Sequence, residues 1–200
     1  MMAIEHPIVL SNARLLLWRV DATAGFDAAW VQVDGDCLRA EGDLVAQQPV
    51  AHSARYQLET GHDYATRRLT VEVRSPGKVA SLDLRREHGR WSVNGADRPD
   101  LESALDCDLA GCPLTNTMPI LRHDLHRKAR DLTFLMAFVR LPDLAVVTSE
   151  QRYTHLRLEA DGRAVVRYRS GSFQSDLVID ADGFVVEYPK LGAHRVDSAE

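Results

Sequence analysis

Apolar and polar residues alternate along most of the chain, and a repeat of two residues predicts β-strands. Ala29, Val31 and Val33 would face one side of such a strand, with Trp30 and Gln32 on the other. Asp-Gly and Asn-Gly pairs, which favour tight hairpin turns because both turn residues need positive φ, interrupt the alternation. The pattern predicts strands over residues 54–59, 68–74, 79–86, 90–93, 163–169, 173–180 and 184–188.

Two segments depart from simple alternation. Residues 132–141 are apolar on both faces, which predicts a strand that is covered on both sides. In residues 120–129, Leu121, Leu125 and Ala129 recur at helical spacing, so a short helix and a strand are both open. The chain has no internal repeat and no linker rich in proline and glycine. Many short strands with regular turns predict an all-β fold, and residues 1–200 are expected to form one domain.

Composition narrows the classes of function. The 200 residues are 45% hydrophobic and 26% charged, as in ordinary globular proteins, and the formal net charge is −5. Such a chain is not built to bind nucleic acid, which requires a basic surface. No apolar run approaches the roughly 20 residues of a membrane helix, and residues 1–11 lack the basic start of a signal peptide. We expect a soluble, cytoplasmic protein without a membrane span.

The cysteines do not predict a disulfide framework. Cys37, Cys107 and Cys112 are few and odd in number, which indicates free thiols in a reducing compartment. Cys107 and Cys112 also invite a zinc interpretation together with His123 and His126. The gap between these pairs, and the spacing of the two histidines, are shorter than in zinc fingers. We therefore expect neither a metal nor another cofactor.

Residues 105–120 carry the strongest signal of function. Asp106 and Asp108 would point to one face of a strand, and a turn with Thr115, Asn116 and Thr117 follows. The carboxylates could accept hydrogen bonds from both threonines, contact a ligand, or serve in acid-base chemistry or an Asp-x-Asp metal site. Asn116 suits either its own turn or the hydroxyls of a sugar. Glycosidase carboxylates flank the bond that they cleave, so a pair on one side suits that reaction poorly.

The same segment resembles the central signature of a bacterial family described as "putative glycolipid-binding proteins". The matching residues in this segment are Asp106 to Leu109, Pro113, Thr115 to Thr117 and Pro119-Ile120. The resemblance continues beyond the segment with Gln151 to Tyr153, Tyr168 to Ser170, Phe173, and Asp180 through Gly183 to Tyr188. The resemblance implies a single many-stranded, mostly antiparallel sheet that rolls up as a spiral, with little helix. It also favours an extended segment through Arg122 and His123, and we predict a strand there.

A second polar and aromatic face is predicted after residue 150. If the strand that carries Gln151 and Tyr153 pairs with the strand that carries Arg167 and Tyr168, Tyr153 meets either the arginines or Tyr168. Aromatic rings beside polar side chains commonly hold sugars, by stacking and by hydrogen bonds to hydroxyls. The alternative is a solvent-facing surface with tyrosine rings at the edge of the core.

The leading hypothesis is a non-catalytic binding protein for a lipid or glycolipid-like ligand. An apolar interior would take acyl chains, lined by Phe134, Phe138, Tyr153 and Tyr168. The polar head group would meet Asp106, Asp108, Asn116, Arg122, Gln151 and Arg167. Two alternatives are open: an enzyme that acts on a sugar or lipid-linked sugar through Asp106 or Asp108, and a structural or interaction module without a small ligand. A homodimer would cover sheet edges, although no motif specifies one.

Overall fold

A computed structural model describes residues 12–196, in which fifteen strands form one mixed sheet. The strands are β1 (Arg14–Val20), β2 (Gly25–Asp34), β3 (Cys37–Ala46), β4 (His52–Thr60), β5 (Thr66–Ser75), β6 (Lys78–Glu87), β7 (Arg90–Val93), β8 (Ala96–Asp97), β9 (Asp106–Leu109), β10 (Asp131–Val139), β11 (Val146–Leu158), β12 (Ala164–Ser170), β13 (Phe173–Ile179), β14 (Val185–Tyr188) and β15 (Ala193–Arg195). Helix α1 spans Thr117–Arg122, and short 3₁₀ turns lie at Asp21–Thr23, His62–Tyr64, Pro99–Leu101, Pro113–Asn116 and Pro189–Leu191. The prediction about residues 1–11 falls outside the described residues. Within residues 12–196, no helix has the length and apolar character needed to cross a membrane.

Strands that are neighbours in sequence are also neighbours in the sheet along two long runs. β1 to β8 follow one another, β9 to β15 do the same, and β1 pairs with β15 to join the runs. Within the described sheet the pairs are antiparallel except β9 and β10, which are parallel. The prediction of an all-β, mostly antiparallel fold with little helix is confirmed. The predicted hairpin strands are confirmed as well.

The sheet is rolled, because the edge strand β9 and the chain that leads to it contact β7 and β5, which lie near the opposite edge. Residues 98–105 lead from β8 at one edge to β9 at the other. The Trp91 indole on β7 donates a 3.0 Å hydrogen bond to the Ala104 carbonyl, and the Thr66 amide on β5 donates one of 3.1 Å to the Leu105 carbonyl. The Thr66 hydroxyl accepts a 3.0 Å hydrogen bond from the Cys107 amide on β9. These contacts cover part of the free edge of β9, which would otherwise be open to pairing with another chain.

Large aromatic side chains fill the interior of the roll. The largest fully buried side chains include Trp18, Trp91, Tyr56 and Tyr153. The Trp18 indole donates a 2.9 Å hydrogen bond to the Val185 carbonyl, so β1 is tied to β14 as well as to its sheet neighbours. Met136 and Ala137 are adjacent on β10 and both are buried. That strand is therefore covered on both faces at this point, as predicted.

Helix α1 contradicts one prediction. The expected strand through Arg122 and His123 is wrong, because residues 117–122 are helical. Pro119 lies in the first turn of the helix, where a backbone amide has no intrahelical partner, so proline is tolerated. After the helix, Asp124 adopts a φ of 50° and redirects the chain. The helical spacing that begins at Leu121 therefore identified only the end of a six-residue helix.

Gly42 allows a tyrosine ring to lie across β3. Gly42 and Tyr56 are opposite each other in the β3–β4 pair. A Cβ at position 42 would lie 2.2 Å from the Tyr56 Cζ. The Tyr56 hydroxyl donates a 3.0 Å hydrogen bond to Asp27 on β2, which holds the ring over the glycine. Any side chain at position 42 must therefore displace the ring or the strand.

We expect Gly42→Ala to lower the free energy of unfolding by about 1–3 kcal/mol, as overpacked interiors do. Gly61→Ala is the matched control, because a Cβ there meets only the flexible Arg67 side chain at 3.2 Å and the backbone is extended. Its effect should stay within about 0.5 kcal/mol. Urea denaturation measures both variants. Equal losses would show that Tyr56 makes room for a methyl group.

Candidate functional site

Asp106 on β9 belongs to a buried ion pair. Its two oxygens accept hydrogen bonds of 2.5 and 2.6 Å from the two terminal nitrogens of Arg122 on α1. The Arg122 Nε donates to the Asp63 carbonyl at 2.5 Å, and the Asp106 and Arg122 side chains are only 1% and 8% exposed. Burial raises the pKa of the Asp106 carboxyl, and the guanidinium opposes that shift. The pair joins β9, α1 and the turn at His62–Tyr64.

Asp108, two residues further along β9, has neutral partners. Its Oδ1 accepts a 2.7 Å hydrogen bond from the Thr115 hydroxyl, and its Oδ2 accepts one of 2.6 Å from the Gln151 Nε2. Burial raises the pKa of this carboxyl, and both donors oppose the shift. The predicted bond from Thr115 is confirmed. The predicted bond from Thr117 is wrong, because Thr117 begins α1 and its buried hydroxyl has no hydrogen-bond partner among the described residues.

Asn116 and Tyr153 extend this network. The Tyr153 hydroxyl lies 2.9 Å from the Asn116 Oδ1 and 3.1 Å from the Gln151 Oε1, so both oxygens are within reach of its proton. The Asn116 Nδ2 donates a 3.3 Å hydrogen bond to the Pro113 carbonyl. Gln151 thus connects Asp108 to Tyr153 through the two ends of its amide. Two segments that are far apart in sequence meet in one buried polar network.

An aromatic cluster adjoins the network. β11 and β12 place Tyr153 opposite Tyr168, with ring centroids 5.3 Å apart, so Tyr153 meets Tyr168 rather than the arginines. Tyr168 also contacts Phe173 and Tyr188 edge-on, at centroid distances of 5.9 and 6.0 Å. On the other side of Tyr153, Phe134 lies 5.9 Å away. Edge-on aromatic contacts of this kind are favourable beyond the area that they bury.

A cavity of about 340 Å³ opens beside the aromatic cluster. Its aromatic wall is formed by Phe138, Tyr168, Phe173 and Tyr188. Its polar side chains are Asp108, Asn116, Ser149 and Ser170, and Cys112 contributes to the remaining wall. Four of the residues predicted for a ligand therefore line this cavity: Asp108, Asn116, Phe138 and Tyr168.

The other predicted residues lie outside the cavity lining. Asp106 and Arg122 bind each other, and Gln151 and Tyr153 hold Asp108 and Asn116 from behind. Phe134 is stacked on His123, at a centroid distance of 5.0 Å. Arg167 points to the face of β12 opposite Tyr168 and donates hydrogen bonds of 2.7 and 2.9 Å to Asp176.

Cys112 links the cavity wall to a buried polar cluster that the sequence analysis missed. Its thiol lies 3.5 Å from the Tyr56 hydroxyl, which donates to the Asp27 Oδ1. The Asp27 Oδ2 has no hydrogen-bond partner among the described residues. Burial raises the pKa of the Asp27 carboxyl to about 7. The alternation of β2 could have identified Asp27 as a buried carboxylate, because Asp27 falls on the same face as Ala29 and Val31.

We expect Asp27→Asn to change how stability depends on pH. The pKa of Asp27 is about 7 in the folded state and 3.8 as an ordinary value, so between these pH values the folded state holds a proton that the unfolded state has lost. The contribution of the Asp27 carboxyl to the free energy of unfolding is therefore complete below about pH 4, and it is lost as the pH rises to about 7. The stability of Asp27→Asn relative to wild type should therefore rise across that range by up to about 4 kcal/mol. Denaturation at several pH values measures it, and parallel curves for the two proteins would contradict it.

We expect Arg122→Met to lower the free energy of unfolding by about 3–5 kcal/mol, because Asp106 is left as a buried charge without a partner. Arg167→Met is the control, since Arg167 makes a similar two-bond pair with Asp176 but both side chains are about one-third exposed. That loss should be about 0.2–1 kcal/mol. The double variant Asp106→Leu with Arg122→Met should recover stability relative to Arg122→Met. Similar losses for Arg122→Met and Arg167→Met in urea would contradict a special role for the buried pair.

The chain matches the model of a family described as "Putative glycolipid-binding" over residues 15–194. No protein with a curated description matches the sequence. In structure, the chain is similar to a crystal structure of a DUF1089 family protein from Pseudomonas aeruginosa, with 23% sequence identity and a TM-score of 0.67. That similarity covers 96% of this chain and 97% of the other, and it shows the shared fold. Because the family model spans nearly all of the sheet, including β9 and the cavity, the protein belongs to the "Putative glycolipid-binding" family.

Proposed function

We propose that the protein binds part of a glycolipid in the cavity beside β9 and does not catalyse a reaction of it. The observation that carries the proposal is that one cavity combines an aromatic wall with a carboxylate and an amide. Tyr168, Phe173 and neighbouring rings suit the apolar face of a sugar or an alkyl chain, and Asp108 and Asn116 suit hydroxyl groups. The description of the family supports the same class of ligand.

The volume of the cavity limits how much of a lipid it holds. At about 340 Å³ it lies near the lower end of ligand pockets, which range from roughly 300 to 1,000 Å³. One sugar ring together with the first carbons of an alkyl chain fits that space, whereas a whole lipid with two chains does not. Phe173 lines the cavity and is 37% exposed, so it lies where the ligand would leave the protein. The junction between head group and chain is the part that we assign to the cavity.

The polar groups of the cavity have hydrogen-bonding capacity to spare. Each carboxylate oxygen of Asp108 accepts one bond from the protein and keeps a further lone pair. The Asn116 amide donates one N–H to Pro113 and has a second N–H. The side chains can thus both accept from and donate to hydroxyl groups. Because Thr115, Gln151 and Tyr153 already orient them, little ordering remains for the ligand to bring about.

The enzymatic alternative has less support. Among the described residues that line the cavity, Asp108 is the one carboxylate. Both oxygens of Asp106 are occupied by Arg122, so this carboxylate does not face Asp108 across the space. Glycosidases use two carboxylates on either side of the scissile bond. The arrangement therefore favours holding a sugar over cleaving it.

The test is a calorimetric titration with a short-chain alkyl glycoside below the concentration at which it forms micelles. Its separate parts, the methyl glycoside and the alkanol of equal chain length, are titrated in parallel. We expect the alkyl glycoside to bind more tightly than either part, because the cavity offers contacts to both. Phe173→Ala should weaken that binding about two- to tenfold, which corresponds to about 0.5–1.5 kcal/mol for a lost aromatic contact.

Phe26→Ala provides the matched control, since Phe26 is 46% exposed on β2 and does not line the cavity. It should leave the affinity unchanged. Native mass spectrometry of gently purified protein, followed by organic extraction, would identify a lipid that copurifies. If no alkyl glycoside binds saturably, or if Phe26→Ala weakens binding as much as Phe173→Ala, the cavity is not the binding site.

A further inference from the structure

We infer that Asp36, Cys37 and His62 form a binding site for a divalent transition-metal ion such as Zn²⁺, separate from the cavity. One carboxylate oxygen, the Cys37 Sγ and one His62 ring nitrogen all lie within 4.8 Å of one another. The Asp36 Oδ1 is 2.9 Å from the His62 Nδ1 and 3.7 Å from the Cys37 Sγ. Ligands around a tetrahedral zinc ion lie roughly 3.3–3.7 Å apart, as bond lengths of about 2.0–2.3 Å require. Small side-chain rotations would bring all three atoms around one ion.

The chemistry of the three donors selects the class of metal. A thiolate, an imidazole and a carboxylate together are typical ligands of zinc and its neighbours in the first transition row. Calcium and magnesium prefer sites made of oxygen atoms alone. Three ligands from the protein leave a fourth position for water, which is the pattern of open zinc sites. Binding would form a metal–sulfur bond, and the proton of the Cys37 thiol would pass to solvent.

Backbone hydrogen bonds already hold the two parts of the site together. Asp36 and Cys37 lie at the hairpin between β2 and β3, and His62 begins the turn that follows β4. The Asp63 amide donates a 3.1 Å hydrogen bond to the Asp36 Oδ2. The Tyr64 amide donates one of 2.9 Å to the Asp36 carbonyl. The ion therefore meets two segments that are already in place, which reduces the entropy lost on binding.

Access to the site is open. The His62 side chain is 90% exposed and that of Asp36 is 45% exposed, so an ion from solution reaches both without a change of fold. Cys37 is half-buried beside them, whereas Cys107 and Cys112 are fully buried. Among the three thiols, Cys37 is therefore the one that an added ion meets first. The site shares no residue with the cavity lining, so its test does not depend on the proposed ligand.

The experiment uses the full chain without a histidine tag. Co²⁺ is added first, because a cobalt–thiolate bond gives a charge-transfer absorption that oxygen and nitrogen ligands do not give. Zn²⁺ is then titrated calorimetrically against the same protein. We expect one ion per chain, a thiolate absorption with Co²⁺, and its loss when Zn²⁺ displaces the cobalt.

Variants locate the ion. Cys37→Ser should abolish the thiolate absorption, and His62→Ala should weaken Zn²⁺ binding by at least about tenfold. His88→Ala is the control, because His88 lies in a different turn, between β6 and β7, and is exposed. It should bind as wild type does. Circular dichroism without metal should show the wild-type melting temperature for Cys37→Ser, His62→Ala and His88→Ala, so that a loss of metal binding is not a loss of fold. An absence of saturable binding to wild type, or a thiolate absorption that persists in Cys37→Ser, would overturn the inference.

Discussion

The contact between Asp106 and Arg122 fixes the region where the regular sheet ends. β9 is an edge strand, with a ladder partner, β10, on one side only. A buried guanidinium and carboxylate that share two parallel hydrogen bonds tolerate little change in distance or angle. The pair therefore sets the position of α1 against β9, and the third bond from Arg122 brings the Asp63 turn to the same place. The ion pair stabilises the position of β9, because this edge strand lacks the second neighbouring strand that a strand inside the sheet has.

Two carboxylates on one face of β9 have different roles because their partners differ. Asp106 meets a guanidinium, whose charge and fixed geometry satisfy both oxygens. Asp108 meets a hydroxyl and an amide, which orient the carboxylate but leave part of its capacity unused. Alternation along a strand placed the two side chains on the same face, and burial raises the pKa of both. The partners, rather than the strand, determine that both oxygens of Asp106 are held by a cation, whereas Asp108, which lines the cavity, keeps capacity for further hydrogen bonds.

The fold was predictable from the sequence where its signals are local. Glycine-containing turns and alternating apolar residues identified the hairpins, because a hairpin brings together residues that are close in sequence. The parallel pairing of β9 with β10 and the pairing of β1 with β15 depend on contacts between distant segments, which no local pattern encodes. A strand was predicted where helix α1 ends, because six residues are too few for helical periodicity to be distinguished from that of a strand. The two aspartates of β9 were singled out from the sequence, but Arg122, the partner of Asp106, lies on that misassigned segment.

The contacts of Arg122 form a continuous path between the cavity and the turn that carries His62. Asp108 and Asp106 share a four-residue strand, Arg122 binds Asp106, and its Nε binds the carbonyl of Asp63, the residue after His62. A continuous path does not by itself constitute coupling, which requires that each ligand favour a different arrangement of the elements between them. Here the intervening pair is buried, and movement of the turn reaches β9 by this route only if the ion pair moves as a unit. If it does, linkage requires an ion at the turn and a ligand in the cavity to change each other's affinity by the same factor.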